Sequence, residues 1–460
     1  MVIYYYLNRY KYKGELKNNK MEGYGVYYFP DGNRYECQFK NDVREGYGVF
    51  YCSNGNRYEG KFKNDLREGF GIFYCSNGNR YEGQFQNDVI EGYGIFCYSN
   101  GSKYEGEWKN DVREGYGVFY CSNGSKYFGE WKNYVRDGYG IYYSSKGNKY
   151  IGEFKNDVID GYGIYYYSNG SKDGYGLGSK YEGEWKNDMR EGYGIYYYLN
   201  NCRYEGEWKN DMREGYGTFF GSIGSKYEGE FKKDIIEGEG ILYYSSGSKY
   251  EGEWKNEVRE GFGIYYSSNG NKYQGQFKND VREGFGVSYY SNGDKYIGEK
   301  KNDLNNGYGI FYSNGDKYEG EFKNNKKEGY GIIYYLNGDK YEGEFKNNRK
   351  EGNGIIYYLN GNTFYGMLKN GKKEGIGFLH NPEDQLIYEG EFQNDLKHGY
   401  GIQYFSKRFK YEGIWINGKI EKFHYFIQCI IFFINIFKKI QEMNKTILLL
   451  IMILIILQNI

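Results

Sequence analysis

From Tyr104 the chain reads Tyr-Glu-Gly-Glu-Trp-Lys, with apolar and charged residues in alternation. A period of two marks a half-buried strand. It places Tyr104, Gly106 and Trp108 on one face and turns Glu105, Glu107 and Lys109 toward water. A polar stretch, Asn110-Asp-Val-Arg-Glu-Gly115, is expected to reverse the chain. The following Tyr116-Gly-Val-Phe-Tyr120 is predicted to form a second strand with Tyr116, Val118 and Tyr120 on one face. Asn123-Gly124 then offers the positive φ angles of a tight hairpin turn. Before residue 423 no window carries a sustained helical period.

The hairpin pattern recurs. Its opening aromatic stands at Tyr81, Tyr104, Tyr127 and Tyr150, a spacing of 23 residues. Seventeen such units begin between Tyr12 and Tyr388, and a truncated one opens at Tyr411. An isolated hairpin is marginal in water, so the hairpins are expected to stack and bury their apolar faces against one another. The expectation is an all-β fold: an elongated, twisted antiparallel β-hairpin solenoid on the order of 160 Å long. In the representative unit the core is assigned to Tyr104, Gly106, Trp108, Gly115, Tyr116, Gly117 and Val118, the glycines leaving gaps into which neighbouring rings pack. Residues 1–11 form a lead-in, 12–422 the array and 423–460 a tail of different character.

Departures from the repeat carry their own expectations. The insert 172–179 duplicates the local Gly-Ser-Lys and falls in a turn between units, where extra residues leave pairing undisturbed. The unit Tyr296–Lys317 is one residue short and has Lys300 where its neighbours have Trp or Phe. Its deficit has to be taken up in a turn, because a one-residue slip would turn every side chain to the wrong face. Lys300 is expected to snorkel to water and leave a packing gap. That makes this unit, and the degenerate Phe364–Ile387 with its Pro382, the weak links. Runs such as Tyr165-Tyr166-Tyr167 must set at least one ring opposite the core. Such a ring is either part of a ligand-binding stripe or packed on the neighbouring strand, and packing is the reading adopted.

Charge and chemistry narrow the function. Lys+Arg 61 balances Asp+Glu 61, so no global field draws the chain to nucleic acid. Met1–Tyr10 lacks the basic start and apolar stretch of a secretory leader, and the expected location is cytoplasmic. Cys52, Cys75 and Cys121 share one place in their repeats. Neighbouring copies lie roughly 9.5 Å apart, beyond disulfide or single-metal reach, and are read as reduced stand-ins for tyrosine. His380, His398 and His424 have no partner at metal spacing and read as polar surface residues. Gly366–Lys373 imitates a phosphate-binding loop, but Lys373 sits in the Ser/Thr place, inside a repeat. Glu105 and Glu107 recur as a solvated row. No catalytic, cofactor-binding or metal residue is assigned, and no cofactor is expected.

The Tyr-x-Gly-x-Trp/Phe strand, the Glu-Gly-Tyr-Gly after it and the 23-residue spacing resemble the MORN repeat. They stand as YEGEWKNDMREGYGIYYY at Tyr181–Tyr198 and YEGEFKNNKKEGYGIIYY at Tyr318–Tyr335. The resemblance implies a sheet of antiparallel hairpins and a role as scaffold, dimerisation module or adaptor at membranes and cytoskeletal structures, ciliary ones included. It also implies contact with acidic phospholipid. MORN repeats occur as appendages of phosphatidylinositol-phosphate kinases and of a histone lysine methyltransferase. Here the residues outside the repeats are too few for a catalytic domain. The expected function is therefore a non-enzymatic scaffold binding other proteins, homodimers among the implied forms. The alternative is an accessory lipid-binding subunit of a phosphatidylinositol-phosphate kinase or other signalling complex.

The tail changes character. Phe423–Phe437 is almost wholly apolar, and Ile447–Leu457 is an uninterrupted aliphatic run. Either stretch as a helix spans roughly 22 Å, short of a bilayer core. Three readings stay open: a re-entrant membrane anchor, a cap on the last repeat, or a misplaced gene end. As an anchor it would bury Ile447, Leu450 and Leu457 and set Lys438, Lys439 and Lys445 among headgroups.

Overall fold

The computed structural model describes residues 2–168, 178–407, 409–424 and 454–455. Most of the insert 172–179 lies outside the described residues, as do Lys438, Lys439, Lys445, Ile447, Leu450 and Leu457 of the tail.

Every regular element of the described chain is a strand. The chain divides into two units, Met1–Ser245 and Ser246–Ile460. In the first, each strand from Val2–Tyr5 to Ile235–Tyr243 pairs antiparallel with its successor. In the second the same holds from Lys249–Lys255 to Lys419–His424. The fold is all-β, hairpin after hairpin, as the periodicity predicts. Pairing starts ahead of Tyr12, because Val2–Tyr5 lies on Lys11–Lys17.

The two turns of each repeat are the reverse of the expectation. Lys103–Lys109 and Val112–Tyr120 are joined by only Asn110 and Asp111, at φ 49° and 64°. This is the tight two-residue turn, and Asn and Asp are the side chains that best tolerate it. Val112–Gly115, read as loop, is strand. The longer connection is Cys121–Ser125, where Gly124 has φ 89° and donates its N–H to Cys121 O at 3.0 Å. Asn123 has no positive φ there; its Oδ1 accepts the Ser125 N–H at 2.9 Å. In the short unit, by contrast, Asn314-Gly315 does close a two-residue turn, with Ser313 paired to Asp316. The one-residue deficit is absorbed there.

Register decides the core. Tyr104 faces Phe119, Gly106 faces Gly117 and Trp108 faces Arg113, with a bulge at Glu107. Tyr104 is 0% exposed and its ring lies over both glycines of its own hairpin. A Cβ on Gly106 would meet Tyr104 Oη at 2.5 Å, so the gap is filled by the unit's own tyrosine and not by a neighbour's ring. The hydroxyl donates to Glu107 O at 3.0 Å. Tyr116, Val118 and Tyr120 do share a face, but it is the opposite one: Tyr116 is 58% exposed and Val118 half-buried. The core takes Phe119 and the stem of Arg113 in their place.

Neighbouring hairpins are joined by rings and charges together. Trp208 meets Tyr181 and Tyr204 edge-on at 5.3 and 5.2 Å and donates Nε1–H to Gly194 O at 3.2 Å. Arg190 Nε reaches Asp211 Oδ1 at 3.0 Å, the same oxygen that accepts the Arg190 backbone N–H. Glu191 Oε2 accepts the Asn210 N–H at 3.0 Å.

Lys300 does not snorkel. It is 4% exposed and donates to Asn305 Oδ1 at 2.7 Å, over the rings of Tyr273 and Tyr296 at 5.6 and 5.2 Å. Asn305 stands where eight other units carry arginine, and supplies an acceptor that arginine could not. The degenerate unit keeps its hairpin, Thr363–Lys369 with Lys372–His380.

Candidate functional site

The bulge at Glu107 and the glycine after it set up the face opposite the core. Gly115 lies at φ 68°, and a Cβ there would meet Glu107 Cδ at 2.9 Å. Only glycine fits both demands. The glutamate that fills this place also fixes the next residue. Glu207 Oε1 accepts the Tyr216 N–H at 3.2 Å, and Glu253 Oε1 accepts that of Phe262 at 2.9 Å. The recurring glutamate, read as merely solvated, therefore holds an aromatic residue outward.

The result is a row of exposed rings, one per hairpin. Tyr47, Phe70, Tyr93, Tyr116 and Tyr139 belong to it in the first unit, and Phe262, Phe285, Tyr308 and Tyr330 in the second. Equivalent strands lie two apart, so the rings recur at roughly 9.5 Å. Glu239 interrupts the row in the first unit, and Asn353 and Ile376 interrupt it in the second. Beside it run half-buried Val118 and Tyr120 and their equivalents. Tyr120 carries Lys103 and Lys126 over its ring at 4.7 and 5.0 Å. In the triplet Tyr165-Tyr166-Tyr167, Tyr165 and Tyr167 meet at a tilt, 4.6 Å apart, on the core side, while Tyr166 is exposed on this one.

Charges on this face are largely matched. Lys180 pairs with Glu182 and Lys340 with Glu342, each at 2.8 Å. Tyr330 donates to Glu342 at 2.9 Å, and that bond to a carboxylate holds the phenol above its ordinary pKa. The face can bury apolar area periodically.

Other candidates resolve simply. Among the described residues no group of three or more His, Cys, Asp or Glu could hold a metal ion. Cys37, Cys52, Cys75, Cys97, Cys121 and Cys202 are free thiols. His380 and His398 are half-buried, not surface residues; His380 lies edge-on to Tyr365 at 5.2 Å. No helix of the described residues is long and apolar enough to cross a membrane. Of the residues assigned to the core, Tyr104, Gly106, Trp108 and Gly117 lie together on the buried face, with Gly115 at its bulge. Tyr116 and Val118 do not. The signal for their outward turn was the lone glycine inside a strand, the mark of a bulge.

A family profile described as the MORN repeat matches in successive windows from 12–34 to 150–172, from 181–203 to 341–363, and at 388–407 and 411–421. The hairpin at 364–387 lies outside those windows. No curated protein matches. Among solved structures, the TCP domain of Drosophila melanogaster SAS-4 bound to a proline-rich motif of Ana2 is 15% identical. That match covers 32% of this chain and 81% of the other, at a TM-score of 0.23. Virginiamycin B lyase from Staphylococcus aureus is 11% identical over 71% of this chain and 96% of its own, at 0.11. Scores this low carry no argument.

Proposed function

The chain belongs to the MORN-repeat family, whose repeats mark membrane- or protein-binding proteins, and from that premise we propose that it is a non-enzymatic scaffold or adaptor. It acts in the cytoplasm, gathering membrane- or cytoskeleton-associated assemblies, ciliary ones among them, along its outer aromatic face. The observation that carries this reading is the row containing Tyr93, Tyr116 and Tyr139: large exposed rings at a fixed spacing, beside charges that already have partners. Exposed rings in a contiguous array are what binding surfaces expose and monomeric surfaces avoid. With the charges matched, recognition rests on repeated apolar contact and not on long-range attraction. A protein with a complementary periodic surface, a second copy of this chain included, fits that chemistry. The tail supplies the membrane half of the proposal. An eleven-residue aliphatic run, Ile447–Leu457, buries enough apolar area to hold a chain at a bilayer.

The test compares the full chain with two variants in cells. One carries Tyr93→Ser, Tyr116→Ser and Tyr139→Ser together; the other ends at His424. The full chain is expected to pellet with membranes or cytoskeleton. The triple variant should lose its protein partners while keeping its β-rich circular dichroism. The truncated chain should move to the supernatant. A triple variant that keeps every partner would remove the aromatic row from the account. A truncated chain that still pellets would move membrane binding to the repeats. Stoichiometric recovery of a lipid-kinase catalytic subunit would favour the accessory-subunit alternative, and reproducible phosphotransfer or methyl transfer by the purified chain would refute the non-enzymatic reading.

A further inference from the structure

In regular units two aromatic side chains meet on the buried face at each junction between hairpins. Phe96 and Trp108 lie 6.0 Å apart, Phe119 and Trp131 6.0 Å, and Tyr196 and Trp208 6.1 Å. At one junction of the second unit both are replaced by polar side chains. Ser288 occupies the Phe119 place, paired with Tyr273 and Tyr296, and Lys300 occupies the Trp131 place, opposite Gly284. A cavity of about 410 Å³ opens there, walled by Tyr265, Tyr273, Phe277 and Tyr290 with Ser288 and Arg282. An adjoining cavity of about 700 Å³ shares Arg282 and Tyr290 and reaches Lys300. Volumes of this order suit a small molecule.

Two polar groups in this space are left wanting. Ser288 is 3% exposed and its Oγ has no hydrogen-bond partner, an uncommon state for a buried hydroxyl. Lys300 is buried with only the neutral Asn305 as acceptor, and among the described residues no ion pair joins it. Arg282 is already matched by Asp303 at 2.7 Å, so the unbalanced charge is that of Lys300. The aromatic walls, the orphan hydroxyl and the unmatched cation converge on one kind of occupant. We infer that this junction is a binding site for a small aromatic carboxylate. Its ring takes the place of the Phe or Tyr that regular units put at position 288, edge-on to Tyr273 and Tyr290. Its carboxylate meets the Lys300 ammonium, and the Ser288 hydroxyl donates to it. Burial and the nearby Arg282, outweighing the opposite pull of Asp303, which also lines both cavities, press the Lys300 amine down to about 8, so binding is strongest below that pH and fades above it.

Titration of the full chain with 4-hydroxyphenylacetate, followed by calorimetry and by the shift in melting temperature, tests the site. p-Cresol and acetate serve as probes that keep only the ring or only the charge. The acid should bind on the order of tenfold or more tightly than either probe. Lys300→Met should reduce its affinity to that of p-cresol. Ser288→Phe refills the cavity with the side chain used elsewhere in the array, so it should abolish binding while raising the melting temperature of the free protein. Unchanged binding in Ser288→Phe, equal binding of acetate, equal binding of p-cresol, or no binding of the acid at millimolar concentration would each overturn the proposal.

Discussion

Gly206→Ala is expected to expel a tyrosine from the core. Tyr204 is fully buried, its ring spread over Gly206 and Gly217, and its hydroxyl donates to Glu207 O at 3.0 Å. A Cβ on Gly206 would stand 2.6 Å from Tyr204 Oη, 2.5 Å from Gly217 Cα and 2.8 Å from Tyr216 O. Two of these three are backbone atoms, so the paired strand has to ease away, and the third contact is relieved only if the ring yields. The chain already contains a version of this experiment. Cys37 stands at the equivalent place, and there Tyr35 is only half-buried, its ring swung onto Phe50 in a stacked contact at 4.0 Å. A tyrosine buries about 150–250 Å², which at about 25 cal/mol per Å² is about 4–6 kcal/mol for complete exposure. A ring that recovers half its burial, as Tyr35 does, loses about 2–3 kcal/mol, and the broken hydroxyl bond adds about 1 kcal/mol. The expected loss is about 3–4 kcal/mol, confined to one hairpin and its neighbours. Urea unfolding combined with hydrogen exchange across Tyr181–Tyr243 measures both size and spread. A loss below about 0.5 kcal/mol would refute the claim that these glycines exist to seat the tyrosine.

Two further perturbations test the coupling and the buried charge. Trp208→Ala removes ring contacts to Tyr181 and Tyr204 and the cation–π contact from Arg190 at 4.2 Å, a loss of roughly 3–5 kcal/mol. Because hairpins couple to nearest neighbours, faster exchange should be confined to Tyr181–Tyr243; uniform loss throughout the chain would mean a single cooperative core. Stability should also follow pH in two opposed steps. Lys300 has an ordinary value of 10.5 and a folded value of about 8, so across that interval the unfolded chain holds a proton the folded chain lacks, and stability rises with pH. Buried tyrosines such as Tyr204 are raised by desolvation above their ordinary 10.0, so the stability they contribute is complete below pH 10 and is lost above it. Lys300 alone should therefore raise the stability of the second unit, read from urea midpoints, by about 2 kcal/mol between pH 8 and 10, against an opposing loss from the tyrosines that takes over above pH 10. Lys300→Met should remove the climb and keep the fall; a superimposable profile for that variant would exclude Lys300 as its source.

The fold was legible because its cause is periodic. Alternation at Tyr104, Gly106 and Trp108 defines a strand and one of its faces, and the fixed spacing makes the strand a member of a stack. What the alternation could not convey was the second strand's facing. Tyr116, Val118 and Tyr120 alternate as well as Tyr104 and Trp108 do, and nothing in that pattern distinguishes an inward set from an outward one. The distinction lies in the Glu107 bulge and the positive φ of Gly115, which are backbone properties. The turns were exchanged for a similar reason: Asn-Gly is the stronger hairpin signal in general, yet the number of residues between paired positions decides which turn forms. Asn314-Gly315, with one residue fewer around it, makes the tight turn that Asn123-Gly124 does not. Lys300 was recognisable as an anomaly, but its depth depended on Asn305, a partner five residues away whose role only pairing reveals.

Between regular units, the bonds that join one hairpin to the next span the same distance along the chain. Arg44 reaches Asp65, Arg190 reaches Asp211 and Arg259 reaches Asp280, always at the same sequence offset and within 0.1 Å of the same length. Where the aspartate gives way to asparagine, at Asn325 and Asn348, the backbone half survives, since Oδ1 still accepts the N–H of Asn305 and Lys327. Most hairpins thus end in a plug that fits almost any other such hairpin's socket. Unequal crossing-over that removes or duplicates one whole repeat would leave the new junction bonded like the old ones, whereas a fractional repeat would break it. Chain length in this protein is in effect quantised: it can drift in steps of one hairpin at little thermodynamic cost, and the number of outward rings, the reach of the surface they form, drifts with it.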